Sequence, residues 1–319
     1  MTHCDIALVG CGDIAQKQHA RFLLSGGNDT GLRLVATADP RAALPGFAGR
    51  HYPDHSALLA AEPNVAAVSI ASPTATHFAI ARDALLAGRH VLLEKPPTTT
   101  LGELIELDRI ATELKVVLVT SFHSRHNAAV AALREILSGR RKPKHISMTW
   151  REDFERWHAG QTWPWRPGGF GVFDPGINAL SILCHVLPEL EFSVEQARFR
   201  VPIGAATPAY VGMRLAWDGA GTGDVTFEWR KGGKDVWDIA VRGPGDAGRT
   251  ETLLLRGVRT LLRDGAVVLS AQGDVEYAGV YRGFARALKS GMSEVSFREM
   301  RIIEEAALVA DVESSETAF

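Results

Sequence analysis

The 319-residue sequence holds only three cysteines, Cys4, Cys11 and Cys184, and they are too widely spaced for a Cys-x-x-Cys or related ligand pattern. That excludes a disulfide framework and leaves no zinc site, so no metal is expected and a reducing compartment is. An excess of charge of either sign is also missing, since 35 Lys and Arg stand against 37 Asp and Glu. Neither nucleic acid nor an anionic membrane is therefore expected as a partner. No apolar run is long enough to span a bilayer, and no basic leader with an apolar stretch precedes the first strand. Repeats, low-complexity tracts and long linkers are lacking too. These absences leave a cytoplasmic chain with room for roughly two domains and a small molecule as its partner.

What is present begins at once. Asp5-Ile6-Ala7-Leu8-Val9 reads as a strand and runs into Gly10-Cys11-Gly12-Asp13-Ile14-Ala15, followed by helical spacing over Gln16 to Ser25. This is a dinucleotide fingerprint with alanine in its third position. Gly10 allows the tight turn, Gly12 lets backbone approach a pyrophosphate, and Ala15 permits close packing of helix on strand. Gly10, Gly12, Asp13 and Ile14 are thus expected at a cofactor. A second strand, Leu32 to Ala38, ends at Asp39, where such folds place the acid that hydrogen-bonds an adenine ribose. With that acid NAD is the expected cofactor; Arg41, two residues on, leaves NADP possible. A third strand, Ala66 to Ala71, closes at Ser72-Pro73, and Ser72, Thr74 and His77 open the next helix, Ala75 to Ala87. All three are candidates for cofactor contact, although His77 also reads as a helix-start residue satisfied by backbone.

The strand that organises the rest is Val91-Leu92-Leu93-Glu94-Lys95-Pro96-Pro97. Its apolar run reads as buried on both faces, as in a parallel sheet, and the prolines forbid its continuation. Glu94 and Lys95 then stand at a carboxyl end, the edge where open α/β sheets bind ligands. Lys95 is a candidate for proton transfer and, with Glu94, for cofactor contact; the alternative is a surface ion pair before a turn. A capped helix (Leu101 to Glu113) and a strand (Val116 to Thr120) complete a doubly wound parallel sheet, a Rossmann domain over residues 1–122.

After Phe122 the pattern changes. A helix from Asn127 to Ser138 leads to period-two segments, Ile146 to Trp150, Tyr210 to Trp217, Asp224 to Trp229, Trp237 to Arg242 and Glu251 to Arg256, with glycine-rich turns at 218–223, 232–233 and 243–248. They predict an α+β domain over 123–319, built on an open, mainly antiparallel sheet and closed by helices Glu276 to Lys289 and Phe297 to Ser314. The apolar alternation at Val225, Phe227, Trp229, Ile239 and Val241 suggests an open face that a second copy covers, hence a homo-oligomer, a dimer. Between the halves, the stretch from Trp163 to Gly176 is too rich in glycine and proline for a core strand. It reads as a loop feeding a helix, Asn178 to Val186, with Asp174 and Asn178 one above the other. An N-terminal cap is the alternative for Asp174.

In its Gly-x-Gly-x-x-Ala turn, Glu94-Lys95-Pro96 and the glycine-rich approach to Asp174, the sequence resembles the glucose-fructose oxidoreductase and inositol dehydrogenase (Gfo/Idh/MocA) family over essentially its full length. The segments His123-Ser124-Arg125, Trp150 to Asp153, Arg156-Trp157-His158 and Gly171 to Ile182 are similar to its L-arabinose and D-galactose 1-dehydrogenase branch. Much of the family has histidine where this chain has Asn178, and asparagine stands there in that branch. The resemblance implies an NAD(P)-dependent enzyme that oxidises the anomeric carbon of a pyranose (D-galactose, L-arabinose or D-fucose) to the aldonolactone. It also implies a dimer formed through the second sheet. Lys95 and Asp174 would share the proton transfer, either being able to accept it, and Asn178 would orient the sugar. His123, Glu152, Trp157 and Trp237 match positions lining the sugar pocket, the tryptophans being also core material by type. Alternatives are an inositol or other polyol dehydrogenase, reduction of an imine or biliverdin, and a non-catalytic dinucleotide sensor.

Overall fold

The computed structural model describes residues 3–25, 28–245, 249–273 and 275–316. In chain order the first elements are β1 (Cys4–Val9), a π-helical stretch (Ala15–Ala20) running into α1 (Arg21–Leu23), β2 (Leu32–Ala38), β3 (Arg50–Tyr52), α2 (His55–Ala61), β4 (Ala67–Ile70), α3 (His77–Leu86), β5 (His90–Glu94), α4 (Leu101–Leu114) and β6 (Leu118–Ser121). There follow α5 (Ala128–Leu137), β7 (His145–Asp153), α6 (Phe154–His158), α7 (Phe173–Val186), β8 (Ser193–Pro202), β9 (Tyr210–Trp217), β10 (Gly221–Arg230), β11 (Val236–Pro244), β12 (Thr250–Arg256), β13 (Thr260–Arg263), β14 (Ala266–Ser270), α8 (Glu276–Ser290), α9 (Arg298–Val309) and β15 (Ala310–Ser315). Residues 246–248 of the glycine-rich turn expected at 243–248 lie outside the described residues.

Two compact units result, one holding the residues up to His123 together with Val275–Phe297, the other beginning at Ser124 and resuming at Arg298. In the first unit the parallel order β3-β2-β1-β4-β5-β6 is that of a Rossmann sheet, whose strand order reverses between β1 and β4. Val9, Ile70, Val91 and Leu93 pack under Leu58 of α2, Leu85 of α3 and Leu107 of α4. The opposite face, with Ile6, Leu8, Leu92 and Val119, is covered by Ala15, Leu23 and by Val280, Tyr281 and Phe284 of α8. A parallel sheet needs both faces buried, and the first 122 residues supply helices mainly for one. Helix α8 therefore belongs with the first sheet, where the sequence expectation had carried the second domain unbroken from 123 to 319.

The second unit is a nine-stranded sheet in the order β14-β13-β12-β11-β7-β10-β9-β8-β15, antiparallel except for the pairs β7/β10 and β8/β15. The last helix was expected to reach Ser314; it stops at Val309, and Ala310–Ser315 instead pairs along the edge of β8. Val225, Phe227, Trp229, Ile239 and Val241 are all buried, on the face that α7 covers: a Cβ on Gly176 would lie 2.5 Å from the Phe227 ring. They are core of their own unit, so these residues do not form the open face expected of them. The opposite face carries Ser147, Thr149, Arg151, Arg214, Asp224, Thr226 and Glu228, which are exposed or half-buried. Among the described residues no helix is long and apolar enough to cross a membrane.

Candidate active site

The glycine turn leaves β1 at the point where the sheet order reverses. Gly10 has φ +91°, and a Cβ there would lie 2.6 Å from the Ser72 nitrogen, so the ends of β1 and β4 meet only through a glycine. Gly12 differs, since a Cβ on it would meet no atom within 4 Å. No protein neighbour demands glycine at that position, and the open side fits a pyrophosphate approaching the backbone. Asp39 is locked beside this turn: Oδ2 accepts from the Cys11 N–H at 2.9 Å and Oδ1 from the Arg41 N–H at 2.8 Å. Burial raises the pKa of this carboxyl, but the backbone donors outweigh it and hold the group below the usual range. A carboxylate keeps acceptor capacity beyond these bonds, which suits ribose hydroxyls. Ile14 is exposed on the turn, Asp13 is turned to solvent in a pair with Lys17, and the Arg41 side chain is exposed.

Ser72 lies at the end of β4 with its hydroxyl 2.8 Å from that of Thr76, and Thr74 is buried. His77 is buried too, its two ring nitrogens 2.9 and 2.7 Å from the carbonyl oxygens of Pro96 and Ser72. Burial presses its pKa down against these two carbonyls. Its ring ties the end of β4 to the segment after Lys95, which is the backbone-satisfied alternative to the cofactor contact expected of it.

Glu94 is buried at the end of β5 within a hydrogen-bond network. Its Oε1 accepts from Ser121 Oγ and the Tyr277 hydroxyl, each at 2.9 Å, and lies 3.1 Å from His19 Nε2; its Oε2 accepts from the Lys95 N–H at 2.9 Å. Burial pushes its pKa up, yet the hydrogen bond and charge of His19 and the charges of His123 and Lys95 hold it down at about 2. His19 continues the network, with Nδ1 2.8 Å from the Tyr281 hydroxyl and 3.2 Å from Ser69 Oγ. Lys95 thus leaves the strand anchored through its own N–H to a buried anion. His123 lies beside this network, stacked on Tyr277.

In the second unit α7 begins at Phe173, earlier than expected, which places Asp174 in its first turn and Asn178 one turn further, both buried. Asp174 Oδ2 is 3.8 Å from His158 Nε2, and the His158 ring packs against Phe154 and Trp229. Trp229 pairs in register with Glu152, which is buried and accepts from Trp150 Nε1 at 3.0 Å. Trp150 stacks on Trp237, and Trp237 in turn packs against Trp157. The Trp157 indole donates to Asp235 at 3.1 Å, so its ring face rather than its N–H is what it can offer a sugar. Asn178 Oδ1 and Trp237 Nε1 are buried and have no hydrogen-bond partner among the described residues.

Sequence reasoning missed His19, Ser69, Ser121, His158, Asp235, Glu276, Tyr277 and Tyr281. One signal was available: two of only four tyrosines stand four residues apart on a helix, and buried tyrosines need partners for their hydroxyls.

The parallel sheet, the glycine turn on the reversal point and the acid after β2 define a nicotinamide-dinucleotide oxidoreductase. The GFO_IDH_MocA model, an oxidoreductase family with an NAD-binding Rossmann fold, matches residues 4–122. The chain belongs to the Gfo/Idh/MocA family: over 317 residues, 98% of each chain, it is 32% identical to galactose 1-dehydrogenase of Pseudomonas fluorescens. The crystal structure of a D-galactose-1-dehydrogenase protein from Rhizobium etli matches it with a TM-score of 0.88 at 34% identity, covering 100% of this chain and 99% of that one. KijD10, a 3-ketoreductase of Actinomadura kijaniata solved with NADP, shares the fold at 20% identity, with a TM-score of 0.80 over 98% of this chain and 99% of its own.

Proposed function

We propose that the protein is an NAD-dependent aldose 1-dehydrogenase, which oxidises the anomeric carbon of a pyranose such as D-galactose, L-arabinose or D-fucose to the aldonolactone. The observation that carries this reading is that Asn178 Oδ1 and Trp237 Nε1, two atoms of the second unit, are buried without a hydrogen-bond partner among the described residues. An unsatisfied buried donor or acceptor costs about 1–3 kcal/mol, and a ligand rich in hydroxyls satisfies one of each. The indole rings of Trp150 and Trp157, packed against Trp237, suit the apolar face of a pyranose. The full-length similarity to two proteins named as galactose 1-dehydrogenases supports the same substrate class.

Bound nicotinamide would supply the acceptor for the electron pair and hydrogen that leave the anomeric carbon; Gly10, Gly12, Ile14 and Asp39 would hold the dinucleotide. The protein's task is the other hydrogen. As the C–H bond breaks, the anomeric hydroxyl gives up its proton and its own carbon–oxygen bond becomes the lactone carbonyl, the bond to the ring oxygen being kept. Lys95 and Asp174 share that proton: an amine or carboxylate accepts it, and the ammonium steadies the oxygen while negative charge develops. Asn178, Glu152 and His123 orient the remaining hydroxyls. Asp39 places negative charge where NADP carries its extra phosphate, so NAD is preferred, and a repulsion of about 1.4 kcal/mol already gives tenfold. The reading includes a cytoplasmic enzyme, in keeping with three free thiols. It also includes a homodimer formed through the polar outer face of the nine-stranded sheet.

The test is initial rates with D-galactose, L-arabinose, D-fucose, myo-inositol and methyl β-D-galactoside, each with NAD and NADP. Free aldoses should be oxidised faster with NAD, and the glycoside, which lacks an anomeric hydroxyl, should be inert. Oxidation of the glycoside at the rate of free galactose would contradict the reading. Asp39→Ser should relax the cofactor preference without changing the order of sugars.

A further inference from the structure

Of the seven tryptophans only Trp157 is exposed, to 48%. An indole left in water ordinarily changes rotamer freely, yet this one is fixed at both ends. Its Nε1 donates to Asp235 Oδ2 at 3.1 Å, and its ring packs on Trp237 with centroids 5.8 Å and planes 48° apart. Asp235, whose side chain keeps only 13% of its exposure, is bound in turn. Oδ2 also accepts from Arg156 at 2.8 Å, and Oδ1 accepts from the Asp153 N–H at 3.1 Å. The turn between β10 and β11 that carries it is closed by Arg230, which donates to the Lys234 carbonyl at 2.6 Å. All of these residues belong to the second unit, the one that holds Asn178 and Trp237. The bare face of the Trp157 indole therefore has a set orientation beside Trp237, whose own N–H is buried without a hydrogen-bond partner among the described residues.

We propose that Asp235 is a positioning residue for Trp157: by accepting the indole N–H it fixes the half-exposed ring beside Trp237, so that the bare ring face meets the apolar face of the pyranose. The proposal rests on the sugar-oxidising reading and adds to it a residue 78 positions from the ring it holds. An aromatic ring offers a sugar its face, and its N–H is free to serve as a handle for something else. Here that handle orders the ring during folding, so less rotamer freedom is lost when the sugar binds. If Asp235 served only to dock α6 on the turn, Arg156 and the Asp153 N–H would suffice, and loss of the indole bond would leave sugar affinity as it was.

The test joins a spectrum to kinetics. Labelling with 15N-tryptophan gives one indole resonance per ring, that of Trp157 being assigned with Trp157→Phe. In the unaltered protein its proton should be protected from exchange with water, and the signal should shift when D-galactose is added with NADH, a pairing that cannot turn over. Asp235→Ala should remove the protection and raise the KM for sugar about tenfold, the upper scale of one oriented aromatic contact, with the KM for NAD unchanged. Asp235→Asn retains an acceptor oxygen and should recover the protection and most of the sugar KM. Trp157→Phe loses the same N–H and should reproduce the rise, and the double variant with Asp235→Ala should be no worse than either single one. A freely exchanging Trp157 indole proton in the unaltered protein, an unchanged sugar KM in Asp235→Ala, or additive losses in the double variant would overturn the proposal. Should no sugar be turned over while the protection still depends on Asp235, the hold on the ring stands and it is the substrate reading that fails.

Discussion

Lys95 is held by its own backbone to a buried anion, so its replacement tests chemistry with little disturbance to the fold. Lys95→Met should retain cofactor binding and lower turnover by about a hundredfold or more, the usual scale for acid–base groups. Asp174→Ala should act likewise, and if both groups serve one proton transfer the double variant should lose less than the sum of the single losses; strict additivity would assign them separate steps. Glu94 gives a prediction in pH. Folding lowers its pKa from 4.5 to about 2, so the ionised group contributes stability above pH 4.5, and that contribution is lost as the pH falls toward 2. Urea unfolding across this range should show the unaltered protein losing stability more steeply than Glu94→Gln, and parallel pH profiles would contradict a buried carboxylate. The glycine turn, Asp39 and Lys95 were legible in the sequence because each is defined by neighbours a few residues away. The partners of Glu94 were not: His19 stands 75 residues before it and Tyr277 183 after it, and nothing local marks a histidine in a short helix as buried.

Elements were legible where period and length agreed, as for β2, β9 and α4 with its threonine cap, Thr100. They failed where tertiary pairing outweighed local preference. Residues 310–315 continue a helical pattern but find the open edge of β8, and ladder hydrogen bonds decide their conformation. Helix α7 starts before its expected cap because Gly176 is compatible with a helix, and that glycine lets α7 settle onto the sheet. A Cβ there would lie 2.5 Å from Phe227. Gly176→Ala should therefore destabilise the protein by about 1–3 kcal/mol, the range for an overpacked core, although alanine is the better helix former. Because Asn178 and Asp174 ride on the same helix, the KM for sugar should rise while the KM for NAD does not. Unchanged thermal unfolding would mean that the ring gives way freely.

At the scale of the whole molecule, the two-part plan and the character of each sheet were legible, whereas the return of α8 to the first unit depends on an uncovered sheet face that no local pattern reveals. The apolar residues that suggested an interface turned out to be core, and the outer face they were assigned to is polar. A dimer through that face should therefore be salt-sensitive: light scattering at micromolar concentration should give twice the chain mass, and Arg214→Glu should shift it toward one. A monomer mass for the unaltered protein would exclude the assembly. The claim on which everything else depends is that hydride leaves the anomeric carbon of a sugar. Its most direct test is turnover of [1-2H]-D-galactose with NAD, followed by mass spectrometry of the reduced cofactor and the sugar product. The expected result is deuterium in the reduced nicotinamide and an aldonolactone free of the label. Label remaining in an oxidised sugar would place the reaction at another carbon and contradict the assignment.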